Sequence, residues 1–234
     1  MKVVILAAGK GSRLRSHKGI PSQSETVPKP LTLLDSGLSI MEHQLKNLSL
    51  YTSLNHVILV VGYHKEEFME KFPNLLYVYN PDYAKENTSK SLLRALEKCD
   101  EDVLWMNGDV VFHPSILEKV LKDPKTRMIV NVGAVGEEEV KYRQDKDGKI
   151  IEISKHVNLP QGEALGINYI VKENLDLFRK QLALCQPGDY FERAIEACIE
   201  NGVDFWSASI DSGLCTEVDF PEDLKRANAM LKSW

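Results

Sequence analysis

Cysteine is scarce, and its placement excludes two classes at once. The chain has four cysteines in 234 residues (Cys99, Cys185, Cys198 and Cys215), with no C-x-x-C spacing among them. That pattern argues against a disulfide framework or a zinc site and reads as reduced core thiols in a cytoplasmic protein. No apolar run approaches the ~20 residues of a membrane span. The first apolar stretch, ending at Ala8, is too short for a signal-peptide core and passes straight into a glycine loop. Positive charge is also in deficit. The formal net charge of −5 excludes a general binder of nucleic acid or of anionic membranes. Hydrophobic content of 43% and charged content of 27% are those of an ordinary globular protein long enough for one large core. A homodimer is left open.

Several familiar catalytic and binding strings are missing too. No G-x-x-x-x-G-K-[ST] follows Gly9, so there is no P-loop. A dinucleotide fingerprint needs a third small residue at the position of Leu14, and leucine stands there instead. What is present is Val3-Val4-Ile5-Leu6-Ala7-Ala8-Gly9-Lys10-Gly11-Ser12-Arg13-Leu14, followed by Pro28-Lys29-Pro30-Leu31. An apolar strand that opens into Gly-x-Gly-x-Arg brings backbone N–H groups close to an anion, because no Cβ stands in the way. Arg13 and Lys29 add positive charge to the same neighbourhood. A nucleoside triphosphate is the guest this arrangement suggests, and incidental glycines after a strand are the bland alternative.

The alternation of elements predicts an α/β, Rossmann-like, mainly parallel sheet flanked by helices. Strands are expected at Lys2–Ala7, His56–Val61, Leu75–Tyr79 and Asp102–Asn107. Helices are expected between them at Leu38–Tyr51, Tyr63–Lys71 and Thr88–Cys99. Continuous apolar strands separated by helices indicate a sheet covered on both faces. Beyond residue 127 the strand-like segments 128–134, 149–154 and 164–171 suggest a small antiparallel extension for a second substrate. Helices at about 173–184 and 190–201, a strand at 203–210 and a last helix at about 221–232 complete the chain. One domain over 1–234 is expected, with a nucleotide part to about 126, an acceptor part to about 215 and a C-terminal strand and helix. In open parallel sheets, ligands lie beyond the strands' carboxyl ends at a switch point. The glycine loop and Asn107-Gly108-Asp109 both satisfy this and are expected to share one cleft.

The string L-A-A-G-x-G-x-R-L followed by P-K-P-L resembles the signature of nucleotidyltransferases that make sugar nucleotides and CDP-alcohols. The resemblance covers nearly the whole chain. It implies that the protein joins a nucleoside triphosphate to a phosphorylated acceptor with release of pyrophosphate, using Mg2+. Such a reaction needs positioning and charge stabilisation, not a protein nucleophile. The lack of a Ser-His-Asp arrangement is then expected. Within the resemblance, Asp109 and Asp219, the latter in Glu217-Val218-Asp219-Phe220-Pro221-Glu222-Asp223, match the metal carboxylates. Lys29 and Arg13 match the residues that contact the phosphates. The nucleotide is expected on Leu6, Ala7, Ala8, Gly9, Gly11 and Ser12, with Gly62 of Val61-Gly62-Tyr63 and Gly108.

The pattern Tyr83-Ala84-x-x-Asn87-x-x-x-Ser91-Leu92 is similar to cytidylyltransferases acting on phosphocholine and related small phospho-alcohols. It points to CTP and places Asn87 and Ser91 at the nucleotide, with plain helix capping by Asn87 as the alternative. Lys155 and Glu163 match acceptor-binding positions, and each is equally readable as an ordinary surface residue. The acceptor would be a small phosphorylated or phosphonate alcohol. A sugar-1-phosphate transferase is the closest rival reading, and a non-catalytic nucleotide-binding regulator a second. One departure stands out: the segment between Arg13 and Lys29 is longer than the family's usual one.

Overall fold

A computed structural model describes residues 1–11, 27–133 and 135–234. The chain begins with β1 (Lys2–Ala7), whose side chains are buried on both faces. Val3, Ile5 and Ala7 join one apolar cluster, and Val4 and Leu6 join another on the opposite face. This is the period of two expected of a strand, with both sides covered. Each fully buried aliphatic side chain of this kind stabilises the fold by roughly 1.5–3 kcal/mol.

The first cluster is closed by α1 (Ile40–Leu48), through Met41, Leu45 and Leu48, and by Phe68 of α2 (Lys65–Lys71). Helix α1 starts later than its apolar spacing suggests, because Ser39 caps it. The Glu42 N–H donates to Ser39 Oγ, and the Ser39 N–H donates to Glu42 Oε2 at 2.7 Å. The second cluster is covered by α3 (Thr88–Leu96), α5 (Lys172–Leu184) and α6 (Glu192–Glu200).

Strands β2 (Val57–Val61), β3 (Leu76–Tyr79) and β4 (Val103–Asn107) complete the parallel part. The chain runs β1, β2, β3 toward one edge, then returns to place β4 on the other side of β1. That reversal puts the switch point at the carboxyl ends of β1 and β4, where both expected loops emerge.

The later strands are more deeply integrated than an appended extension. Strand β9 (Gly162–Ile170) pairs antiparallel with β4 and with β6 (Arg127–Asn131), and β10 (Trp206–Ile210) adds parallel to β6. Within this sheet, β7 (Lys141–Gln144) and β8 (Ile150–Ser154) stand off the main path, as a hairpin on β9. The described residues thus form a mainly parallel sheet with antiparallel strands built into it.

Three elements are not anticipated by the sequence pattern: β5 (Val110–Phe112), α4 (Ser115–Val120) and β7. The first two are too short to show a period, and β7 buries only Tyr142 among polar residues. Strand β5 matters most, because it pairs with β11 (Cys215–Glu217), matching Val110 to Glu217. This small ribbon sets the C-terminal strand, which leads into α7 (Pro221–Ser233), beside the turn that carries Asp109. All four cysteines are free and buried, and among the described residues no helix is long and apolar enough to cross a membrane.

Candidate active site

The Pro28-Lys29-Pro30 segment folds as a single tight turn over Lys29–Leu31, with Lys29 itself buried. Its Nζ donates to Asp109 Oδ2 at 2.6 Å and to Asp219 Oδ1 at 2.8 Å. Residues far apart in the chain therefore meet on one ammonium. Burial alone would pull the lysine's pKa down. The charges of Asp109 and Asp219 outweigh it and hold the group above its ordinary value.

The two aspartates of this trio are fixed through bonds to the backbone around them. Gln44 of α1 donates Nε2 to the carbonyls of Asn107 and Val110, at 2.9 and 2.8 Å, and so clamps the turn that presents Asp109. The Val218 N–H donates to the Asp109 carbonyl at 3.0 Å and ties in the C-terminal segment. The Asp223 carboxylate accepts the N–H groups of Asp219 and Phe220, at 2.9 and 2.8 Å. Capping of α7 thus falls to Asp223, which leaves the Asp219 carboxylate to Lys29. Gln44→Leu is expected to destabilise the fold by about 1–3 kcal/mol, because two buried carbonyls lose their donor. Urea unfolding measures this directly.

Gly11 lies at φ +62, and a Cβ there would stand 2.8 Å from Lys29 Cβ. The second glycine of the loop therefore serves the close approach to Lys29. Leu6, Ala7, Ala8, Gly9, Gly11, Gly108, Asn87 and Ser91 line a cavity of about 540 Å3, together with Lys29, Asp109 and Asp219. Lys155 and Glu163 line the same cavity. Gly62 does not. It sits where a Cβ would meet Tyr83 at 2.6 Å and the Ala8 carbonyl at 2.7 Å, so it allows Tyr83 to pack beside the loop. Ser12 and Arg13 lie outside the described residues, as does the longer segment that follows them.

Two of the lining residues already have structural duties. Asn87 caps α3, accepting the Thr88 N–H at 2.8 Å, and donates to the Gly188 carbonyl at 3.2 Å. Ser91 Oγ accepts from Asn80 Nδ2 at 3.0 Å. At the other side of the cavity, Lys155 Nζ donates to Glu138 Oε2 at 3.3 Å and lies 5.1 Å from the centre of the Tyr190 ring. Glu163 accepts from Asn131 Nδ2 at 2.6 Å. Burial, then the Glu139 charge, raises its carboxyl above the usual range, against the Asn131 bond.

The cavity also holds residues that sequence reasoning did not select. Asn107 donates to Glu217 Oε1 at 3.2 Å, and its own Oδ1 is buried without a partner. Burial and the charges of Asp109 and Asp219 push the Glu217 carboxyl well above its ordinary value, with Lys29 pulling the other way. Glu192, at the start of α6, is the other addition, and burial pushes its carboxyl up to about 7. Asn107 stood inside a motif already noticed. Glu192 carried no signal, because the amphipathic spacing of α6 reads as packing alone.

Do these residues fit a divalent metal? Asp109 and Asp219 converge on one cation, and Asp109 Oδ1 is a buried oxygen with no partner. Among the described residues, no group of three or more His, Cys, Asp or Glu is arranged as a metal cage. Two carboxylates with the rest supplied by phosphate and water is the set that Mg2+ accepts. The donor chemistry fits.

Known proteins agree with this architecture. Residues 3–147 match the model of the MobA-like NTP transferase domain. A CMP-5'-(3-aminopropyl)phosphonate synthase from Streptomyces rubellomurinus is 37% identical over 135 residues, which is 55% of this chain and 20% of that protein. The UTP–glucose-1-phosphate uridylyltransferase AglF of Haloferax volcanii is 30% identical over 131 residues, covering 54% of this chain and 51% of that one. The chain spans a fifth to about half the length of the curated relatives it matches. Among solved structures, the CTP:phosphocholine cytidylyltransferase of Streptococcus pneumoniae superposes with a TM-score of 0.77 at 20% identity, over 98% of both chains. At that identity the likeness is one of fold. The match to the domain model covers more than half of the sequence and fixes the family.

Proposed function

We propose that this chain, which belongs to the MobA-like NTP transferase domain family, transfers a cytidylyl group from CTP to a small phosphorylated or phosphonate alcohol. The observation that carries the reading is the meeting of Lys29, Asp109 and Asp219 in a cavity shared with the glycine loop and with Lys155. In the reaction, an anionic oxygen of the acceptor attacks the α-phosphorus of CTP. The bond to the β-phosphate oxygen breaks, and pyrophosphate leaves with that electron pair. No proton need be removed from the attacking group, so no protein base is required.

Asp109 and Asp219 would hold Mg2+, which supplies charge neutralisation for the triphosphate and its leaving group when bound. The Lys29 ammonium stands beside them as the cation that faces charge developing on the α-phosphate. Backbone from Leu6 to Gly11 follows the nucleotide, and the motif assigns the next two residues, Ser12 and Arg13, to its phosphates. Ser91 and Asn87 bound the nucleotide side of the cavity, and Gly62 contributes by seating Tyr83. Lys155 binds the acceptor's phosphate or phosphonate, and Glu163 faces its alcohol portion.

The choice of CTP rests on the Asn87/Ser91 pattern and on the aminopropylphosphonate synthase among the relatives. A sugar-1-phosphate acceptor is the second reading, favoured by the likeness to a glucose-1-phosphate uridylyltransferase. The presence of Lys29, Asp109 and Asp219 in one bonded group argues for turnover over mere nucleotide binding. Lys155→Ala is expected to raise the acceptor KM about tenfold or more while moving the CTP KM less than about threefold, since a phosphate loses its charged partner. Steady-state kinetics with each substrate varied in turn separates the two, and equal effects would remove Lys155 from the acceptor site.

A further inference from the structure

Helix α7 carries a cationic side chain that reaches back to the strand before it. Arg226 Nε donates to Thr216 Oγ1 at 3.0 Å, and its Nη2 donates to Asp223 Oδ1 at 2.8 Å. Thr216 is a buried residue of β11, fixed by its pairing with Val111 of β5. Its hydroxyl donates to the Glu217 carbonyl at 3.3 Å, and so presents a lone pair to the guanidinium. Thr216, Asp219, Asp223 and Arg226 all line the cavity.

These bonds close a ring around Asp219. The other oxygen of Asp223 accepts the N–H groups of Asp219 and Phe220, so one carboxylate joins Arg226 to the backbone of Asp219. Strand β11 enters this segment, α7 leaves it, and the guanidinium ties the two together. An exposed arginine paired with an aspartate three residues earlier on a helix contributes little by itself. Two features set this pair apart. A buried threonine fixes Nε, and the second carboxylate oxygen carries two backbone N–H groups. A planar fork serves Thr216 and Asp223 at once, whereas a lysine ammonium is a point charge on a flexible stem.

We infer that Arg226 is a positioning residue for the metal site: through Thr216 and Asp223 it sets the backbone, and hence the carboxylate, of Asp219. The inference deepens the function proposed above and rests on it, since there Asp219 holds the metal. Groups that touch no metal themselves commonly orient those that do. Charge and position give opposite signs here. Arg226 is a cation near a cation site, so loss of its charge alone strengthens metal binding, whereas loss of its positioning weakens it.

The test is Mn2+ binding with a slowly reacting CTP analogue, followed by electron paramagnetic resonance. Arg226→Met, which keeps the aliphatic stem, is expected to bind Mn2+ about tenfold or more weakly than the wild type. Thr216→Val leaves every charge in place and is expected to weaken binding in the same direction. The double variant is expected to be no weaker than Arg226→Met, because both changes break one chain of bonds. In turnover, kcat is expected to fall in Arg226→Met while the acceptor KM stays within about threefold. Unchanged or tighter Mn2+ binding in Arg226→Met, with binding weakened in Asp219→Ala, would overturn the inference and leave the metal assignment standing. A rise in the acceptor KM alone would also overturn it, by making Arg226 a substrate contact. Mn2+ binding that Asp219→Ala leaves unchanged, or none by the wild type, would instead overturn the metal assignment and the inference with it.

Discussion

Asp109→Ala is expected to lower kcat/KM by about 10^3-fold or more while leaving the fold in place, because it removes a carboxylate proposed to hold the metal at the reacting phosphates. The turn that presents Asp109 is held by backbone carbonyls bonded to Gln44 and by the Val218 N–H, none of which involves the Asp109 side chain. The circular dichroism spectrum and the cooperativity of unfolding are therefore expected to stay native. Titration with Mn2+ in the presence of a slowly reacting CTP analogue is expected to show weaker metal binding in the variant. Activity within tenfold of the wild type would remove Asp109 from the metal site and leave its bond to Lys29 as a structural ion pair.

Lys29→Ala has the second large effect, and its direction is less obvious. Turnover is expected to fall by about 10^2–10^3-fold, because the cation proposed to face the α-phosphate is gone. Metal binding without nucleotide is expected to strengthen. In the present structure the ammonium engages both Asp109 and Asp219, at 2.6 and 2.8 Å, and so competes with a cation for the carboxylates proposed to hold the metal. Removing it takes from the two carboxylates the ammonium that they share. That costs stability, by about 3 kcal/mol at most since both carboxylates keep some solvent contact.

Mn2+ then stabilises the variant by mass action, since it binds the native state and not the unfolded chain. The expected readout is a Mn2+ dissociation constant at least about tenfold lower in Lys29→Ala than in the wild type, and a melting temperature that Mn2+ restores. Unchanged or weaker Mn2+ binding in the variant would show that these carboxylates do not form the metal site.

Much of this was legible in the sequence, for a reason that can be stated residue by residue. Val3–Ala8 is apolar at every position because both of its faces are covered, and that continuity marks a central parallel strand. The glycines and prolines around Lys29 are local signals of backbone geometry, and local signals survive in a string of letters. Asp109 and Asp219 stand in short motifs at strand ends, where the resemblance picks them out. Their convergence on Lys29 depends on the β5–β11 ribbon, whose three-residue strands carry no period.

The less legible parts are those in which tertiary placement decides. Strand β9 reads as part of an extension, yet it is inserted between β4 and β6 in the main sheet. Gly62 sits in a motif that suggests ligand contact, but its backbone is needed to admit Tyr83. Glu192 looks like one more polar residue on an amphipathic helix. Only the walls around it show that one oxygen of its carboxylate is buried without a partner. The segment holding Ser12 and Arg13 lies outside the described residues, so their assignment rests on the motif alone.

The central claim is tested most directly by pyrophosphate release in Mg2+, with CTP, UTP, ATP, GTP and dTTP each offered against two sets of acceptors. One set holds 2-aminoethylphosphonate, phosphocholine and other small phospho-alcohols, and the other holds sugar-1-phosphates. The account predicts release with CTP and the first set, and none with the second. Release with UTP or dTTP and a sugar-1-phosphate, and none with CTP and a phospho-alcohol, would contradict it.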